Sequence, residues 1–157
     1  MKKTILLILT ALILMTGCSA GGSANMDALK DSMLGAAQDL PKMREVTDKS
    51  EDAAQLFTYL SDMDYNKVAE FFFEYSNSGS PEELAVIRVK NASDVQTAAD
   101  SLKSHAQGRA ALYKQYSPQD AALPENAIIF TKNDAAVMII CKNCSAVRDA
   151  AQSVLVN

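Results

Sequence analysis

The feature that most restricts the fold is a repeat in the C-terminal half. "KNASDVQTAADSL" (residues 90–102) and "KNCSAVRDAAQSV" (142–154) align without gaps at an offset of 52, with seven of the first twelve positions identical. Each copy follows a pair of apolar, strand-like runs. "VAEFFFEYS" (68–76) and "ELAVIRVK" (83–90) flank the loop "SNSGSP", and "AIIFT" (127–131) and "AAVMIIC" (135–141) flank a turn around Asn133. Each copy then continues as an amphipathic helix. Val95, Ala98, Ala99, Leu102, Ala106 and Tyr113 share one stripe, which stops near Ser117-Pro118; Val147, Ala150, Ala151 and Val154 share the other. Convergence on a strand, an N-cap serine (Ser93, Ser145) and an Ala-rich helix face would give a similar likeness. Either way the unit is strand–strand–helix, used twice.

A hairpin with one apolar face and a helix with one apolar stripe must cover each other. The expected fold is therefore α+β, with a four-stranded antiparallel sheet and both repeat helices on one face. Ala85, Ile87 and Val89 alternate with Arg88 and Lys90 and should face the core, as should their equivalents Val137, Ile139 and Cys141. Upstream, Leu29, Met33, Ala36, Ala37 and Leu40 predict a helix over 26–40 ended by Pro41. The charged stretch "KMREVTDKSED" follows, then a shorter helical pattern at Ala53, Leu56, Phe57 and Leu60. These N-terminal helices would cap an end of the sheet or its remaining face.

The first residues address the compartment. Lys2 and Lys3 precede the apolar run from Ile5 to Met15, which is too short for a comfortable membrane span and fits the apolar segment of a secretory signal. Leu14-Met15-Thr16-Gly17-Cys18 resembles the lipobox of bacterial lipoproteins, with Met where Leu is commonest. That resemblance implies a signal peptide over 1–17, cleavage before Cys18 and diacylation of its sulfur, two chains giving stable anchoring where one is marginal. The alternative is an ordinary signal peptide cut near "SAGGSA". Residues 18–25 would be the lipidated cysteine and a small-residue tether, and 26–157 a single domain. Without Lys2 and Lys3 the chain has 13 basic against 19 acidic residues, a net charge of −6. This argues against nucleic acid or an anionic surface as an electrostatic partner.

Chemistry-bearing residues are few. Cys141 and Cys144 form a Cys-x-x-Cys motif in "IICKNCSAV". Offset 52 maps them onto Val89 and Ala92, so the equivalent junction works without thiols. A core-facing Cys141 should have a raised thiol pKa, whereas Cys144, just before a helix start, sits where the dipole favours a thiolate. Two unpaired thiols, a local disulfide and a redox pair all remain open. A zinc site lacks a second ligand pair. Asp62, Asp64 and Asn66 mimic the start of a calcium loop, but Lys67 and Phe73 occupy the positions that require Gly and Glu, which favours an Asx turn. His105 reads as a boundary histidine with no partner in the sequence. Glu82 and Glu83, adjacent on a strand, point to opposite faces and make a poor acid–base pair.

"LPKM", "EELAVIRVKNASDV", "YSP" and "NAIIFTKNDAAVMIICKN" resemble the domain-of-unknown-function 4358 family, small lipoproteins of Gram-positive bacteria, mostly Clostridia. In the long helix Arg109 and its neighbours fit that pattern loosely. The family carries no assigned activity, so the resemblance supports a lipoprotein and its domain limits without implying a mechanism. The resulting expectation is a non-enzymatic module at the extracytoplasmic face of the cell membrane. Cys18 would anchor it, no cofactor or metal is called for, and a protein, peptide or small molecule would be its ligand. The alternatives are a thiol–disulfide lipoprotein using Cys141 and Cys144, and a structural factor in envelope assembly.

Overall fold

The computed structural model describes residues 25–155. Its centre is a five-stranded antiparallel sheet made of β1 (Met43–Thr47), β2 (Val68–Ser76), β3 (Glu83–Val89), β4 (Ile128–Lys132) and β5 (Ala135–Ile140). The spatial order is β1-β2-β3-β5-β4. Both predicted hairpins form, and they join through the β3–β5 pair, in which Val86 stands opposite Val137. The expected four-stranded sheet has a fifth member because β1 lies within the charged stretch. It is an edge strand in which only Val46 is buried, so its apolar signal is a single residue.

Among the described residues five α-helices surround the sheet: α1 (Met26–Ala36), α2 (Ala53–Phe57), α3 (Val95–Tyr116), the four-residue α4 (Ala122–Glu125) and α5 (Cys144–Val154). The repeat helices do not share a face. Leu102 and Ala106 of α3, with Phe57 at the end of α2, cover Phe71, Ala85, Ile87, Met138 and Ile140. Val147 and Ala151 of α5, with Leu29 and Met33 of α1, cover Phe72, Val86, Val137, Ile139 and Cys141.

The strand register explains this. Ile87 stands opposite Ala136, and Ile139 opposite Leu84. Leu84 and Ile87 are three apart on an alternating strand, so Ile87 and its repeat equivalent Ile139 look to opposite faces. Each repeat keeps its helix on the equivalent side of its own strand, and the antiparallel pairing sends the two helices to opposite sides of the sheet.

Covering both faces buries β3 and β5 along their whole length. Arg88, expected to point to solvent, is only 4% exposed. Its guanidinium lies 3.8 Å from Glu70 and 3.6 Å from Asp134. α1 ends at Ala36, four residues short of Leu40. The side chain of Asn143 takes over there, donating to the Ala36 carbonyl (2.8 Å) and accepting from the Gln38 N–H (3.0 Å). At the other end of α1, the Asn25 side chain accepts from the N–H groups of Asp27 and Ala28. α3 and α5 begin at Val95 and Cys144 rather than at the serine caps, and a 3₁₀ turn (Ala92–Asp94) leads into α3. The Asx turn forms as expected, with Asp64 Oδ1 accepting from the Asn66 N–H at 3.0 Å.

A polar pair sits beneath α1. Glu45 and Glu74 are cross-strand neighbours on β1 and β2, and Lys30 of α1 pairs with Glu45. Burial, followed by the hydrogen bond to Glu45, pushes the Glu74 carboxyl up from 4.5 to about 7. Its folded-state value lies above the unfolded one, so the group favours the folded state below pH 4.5. That contribution is lost as pH rises through about 7. Stability should therefore fall across this window, by about 1 kcal/mol after allowing for solvent screening. Glu74→Gln should flatten this part of the pH–stability curve, read from urea midpoints between pH 4.5 and about 8.

Candidate functional site

α3 carries His105, Arg109 and Tyr113 at successive i, i+4 positions, which stack on one side of a helix. This row runs beside the Leu102–Ala106 stripe and meets the first residue of β3. Glu83 is 2% exposed and faces α3. His105 Nε2 lies 2.6 Å from Glu83 Oε2, and Arg109 Nε lies 2.7 Å from Glu83 Oε1. His105 is therefore not the partnerless histidine of the sequence reading: a buried carboxylate bridges it to Arg109.

The next step outward fixes the guanidinium. Arg109 Nη2 donates to the Tyr113 hydroxyl at 3.2 Å, and Arg109 Cζ lies 4.9 Å from the Tyr113 ring centroid. Tyr113 donates to the Gly79 carbonyl at 2.5 Å. Burial, the largest cause, raises the Tyr113 pKa, which keeps the phenol protonated. Gly79 has φ +78°, a conformation that L side chains rarely adopt. Serine hydroxyls brace its loop, with Ser80 donating to Ser76 Oγ at 2.8 Å and the Ser78 N–H donating to the same oxygen at 3.1 Å.

Above this network is an open pocket of about 470 Å³ between α3, the end of α2 and strands β1–β3. Its wall is aromatic. Phe73 and Tyr75 stack with centroids 5.1 Å apart, and Tyr113 and Tyr116 lie 5.0 Å apart. Tyr59 and Tyr116 are 67% and 58% exposed at the rim, the two most exposed large apolar side chains among the described residues. Such a site can hold a ligand with an apolar body and present one oriented cation to it.

The sequence-predicted cysteines lie on the other face of the sheet. Cys141 follows β5 and is 3% exposed, whereas Cys144, the first residue of α5, is partly exposed. Both are free thiols, with Sγ atoms 3.6 Å apart. As expected from its place in the core, Cys141 has a raised pKa, through its hydrogen bond to Cys144 and then burial. The same bond, with backbone donors, lowers Cys144 to about 6. Glu82 and Glu83 separate to opposite faces as alternation requires. Cys18 lies outside the described residues, as do the signal segment and all of the tether except Asn25. Among the described residues no group of three or more His, Cys, Asp or Glu side chains could hold a metal ion, and no helix is long and apolar enough to cross a membrane.

The family model for a domain of unknown function, DUF4358, matches residues 41–141. The chain belongs to the DUF4358 family. The match spans the sheet from just before β1 to the end of β5, so the Glu83–His105–Arg109 network lies inside the DUF4358 domain. α1, α5 and Cys144 lie outside that range. No curated protein and no solved structure matches the chain.

Sequence reasoning missed the network because its members belong to two elements 22 residues apart, Glu83 and His105. The available signal was the spacing of His105, Arg109 and Tyr113, together with an acidic residue opening an otherwise apolar strand. Glu83→Gln should leave Arg109 without its buried counter-charge and cost about 3 kcal/mol. A urea denaturation series would measure this, with Tyr113→Phe costing about 1 kcal/mol for its single hydrogen bond.

Proposed function

We propose that this protein is a lipid-anchored, extracytoplasmic binding module. In this reading the diacylated Cys18 holds it to the membrane, and the aromatic pocket beside α3 takes a small molecule or peptide end that pairs an apolar or aromatic body with an acidic group. The observation that carries the reading is the fixed guanidinium of Arg109 among tyrosines. A guanidinium has five N–H donors. Arg109 sits in an ion pair with Glu83 and donates one Nη2 hydrogen to Tyr113, and its other Nη hydrogens can serve a ligand. A planar cation held in this way suits a carboxylate better than a freely rotating lysine would. Tyr59, Tyr75 and Tyr116 supply broad, stiff apolar contact at low entropic cost.

Two experiments test the two halves. Full-length protein expressed in a Gram-positive host should fractionate with membranes and carry two acyl chains on Cys18 by mass spectrometry, and Cys18→Ala should release it. An unmodified Cys18 peptide from the membrane fraction would remove the anchoring. For the pocket, N-acetyl-L-tyrosine should bind saturably in titrations followed by chemical-shift changes, and its carboxamide about tenfold more weakly, as loss of a charged hydrogen bond requires. Tyr116→Ala, at an exposed rim position, should weaken the acid as well. Equal binding of acid and amide, or no saturable binding of either, would remove this ligand class.

A further inference from the structure

The pocket leaves one chemically distinctive site unused, at the turn between β5 and α5. We propose that Cys141 and Cys144 form a dithiol that exchanges with external disulfides, with Cys144 as the attacking thiolate and Cys141 as the resolving thiol. This site is separate from the pocket and independent of the binding reading.

Three geometric observations support it. The sulfurs are 3.6 Å apart, a gap that side-chain rotation can close towards the ~2.05 Å of a disulfide. Exposure differs in the useful direction, since Cys144 is partly open to solvent and Cys141 is shielded. Cys144 is also the first residue of the 11-residue α5, where orphan N–H groups and the helix dipole favour an anion. As a thiol, Cys144 donates to the Cys141 carbonyl at 2.8 Å; as a thiolate, it accepts from the Cys141 N–H at 3.2 Å and from the Cys141 S–H. The lowered pKa of Cys144 agrees with this arrangement.

A fourth observation concerns the resolving step. Glu83 pairs with Ile140 at the end of the β3–β5 ladder, and Glu82 directly precedes β3. Glu82 is only 7% exposed, and its Oε2 has no hydrogen-bond partner among the described residues. Its charge also contributes to the raised Cys141 pKa. That charge favours the protonated form of the resolving thiol. The other charges at the turn are Lys142 and, 3.9 Å from it, Asp39.

The chemistry balances with a low-molecular-weight disulfide as oxidant. Cys144 Sγ⁻ attacks one sulfur of R–S–S–R′, forming a mixed disulfide and expelling R′S⁻, which is protonated by water. Cys141 gives up its proton to water as its sulfur attacks Cys144 Sγ. The Cys141–Cys144 disulfide forms, and RS⁻ leaves and takes up the proton. Two protein thiols are oxidised and one external disulfide is reduced to two thiols.

The full chain in detergent, equilibrated with glutathione and its disulfide, is read by alkylation and peptide mass spectrometry, with Cys18 scored separately. Wild type should acquire the internal disulfide. Cys141→Ser should accumulate glutathione on Cys144, and Cys144→Ser should acquire none on Cys141. In the reduced protein, alkylation of Cys144 should reach half its maximal rate near pH 6 rather than near about 8.5, the ordinary thiol value. Glutathione on neither cysteine, glutathione first on Cys141, or a midpoint near the ordinary value would each overturn the proposal. Should the serine variants fail to fold, the wild-type midpoint and order of labelling still decide it.

Discussion

The antiparallel pairing of β3 with β5 is the contact on which the rest of the molecule depends. It joins two hairpins that could each have been covered by its own helix and makes one sheet of them. Its register sets the repeat equivalents Ile87 and Ile139 on opposite faces, so α3 and α5 must cover opposite sides. A sheet covered twice buries β3 and β5 completely, and their residues read as almost unbroken apolar runs. Antiparallel sheets more often leave one face wet, with a clean in–out alternation. The runs of β3 and β5 therefore record a choice of layer arrangement as well as strand identity.

Two-sided burial gives polar groups on the central strands unusual weight. A buried charge is costly unless neighbours compensate it. Glu83 has the Arg109 guanidinium and the His105 ring within hydrogen-bond distance, and Arg88 has Glu70 and Asp134 nearby. Each is an ion-paired insertion at the end of an apolar strand, where helix and loop side chains can reach it. Glu82 Oε2, by contrast, has neither a hydrogen-bond donor nor an ion-pair partner among the described residues. Glu82 directly precedes β3, and the side chains that serve Glu83 do not pair with it. Its charge is one of the causes that raise the Cys141 thiol pKa.

Strand and helix positions in the repeat region were legible in the sequence because period-two and period-3.6 patterns were strong there. The serine-rich loop and the Asx turn at Asp64 were equally readable from their local chemistry. What could not be read was pairwise and non-local. β1 shows one buried residue in five, and its strand character comes from hydrogen bonding to β2 rather than from its composition. The one-faced helix arrangement failed because a gapless alignment fixes local structure but not the parity of a register between distant strands. The end of α1 depends on the Asn143 amide, 107 residues away in the chain. His105 looked partnerless for the same reason, since its carboxylate belongs to another element. The cysteines were the reverse case. Burial for one and a helix start for the other follow from local position, so their opposite pKa directions were foreseeable.

The placement of Asn143 ties the cysteine turn to the start of the folded domain. Lys142 and Asn143 are the two residues between Cys141 and Cys144. The Asn143 amide both donates to the last carbonyl of α1 and accepts from the Gln38 N–H. α1 begins at Met26, directly after the predicted tether, and its Leu29 and Met33 are buried against the α5 face. A rearrangement of the 141–144 turn must move Asn143, and with it a closure that α1 otherwise shares only with the local bond from the Ala37 N–H to the Met33 carbonyl, among the described residues. The pocket is insulated from this by the sheet itself. Its polar floor rests on Glu83, one residue along from Glu82 but on the opposite face, and it is braced by α3 and the serine loop rather than by α1 or α5. One strand end thus carries two buried carboxylates that serve separate sites, and the alternation of a β-strand keeps them apart.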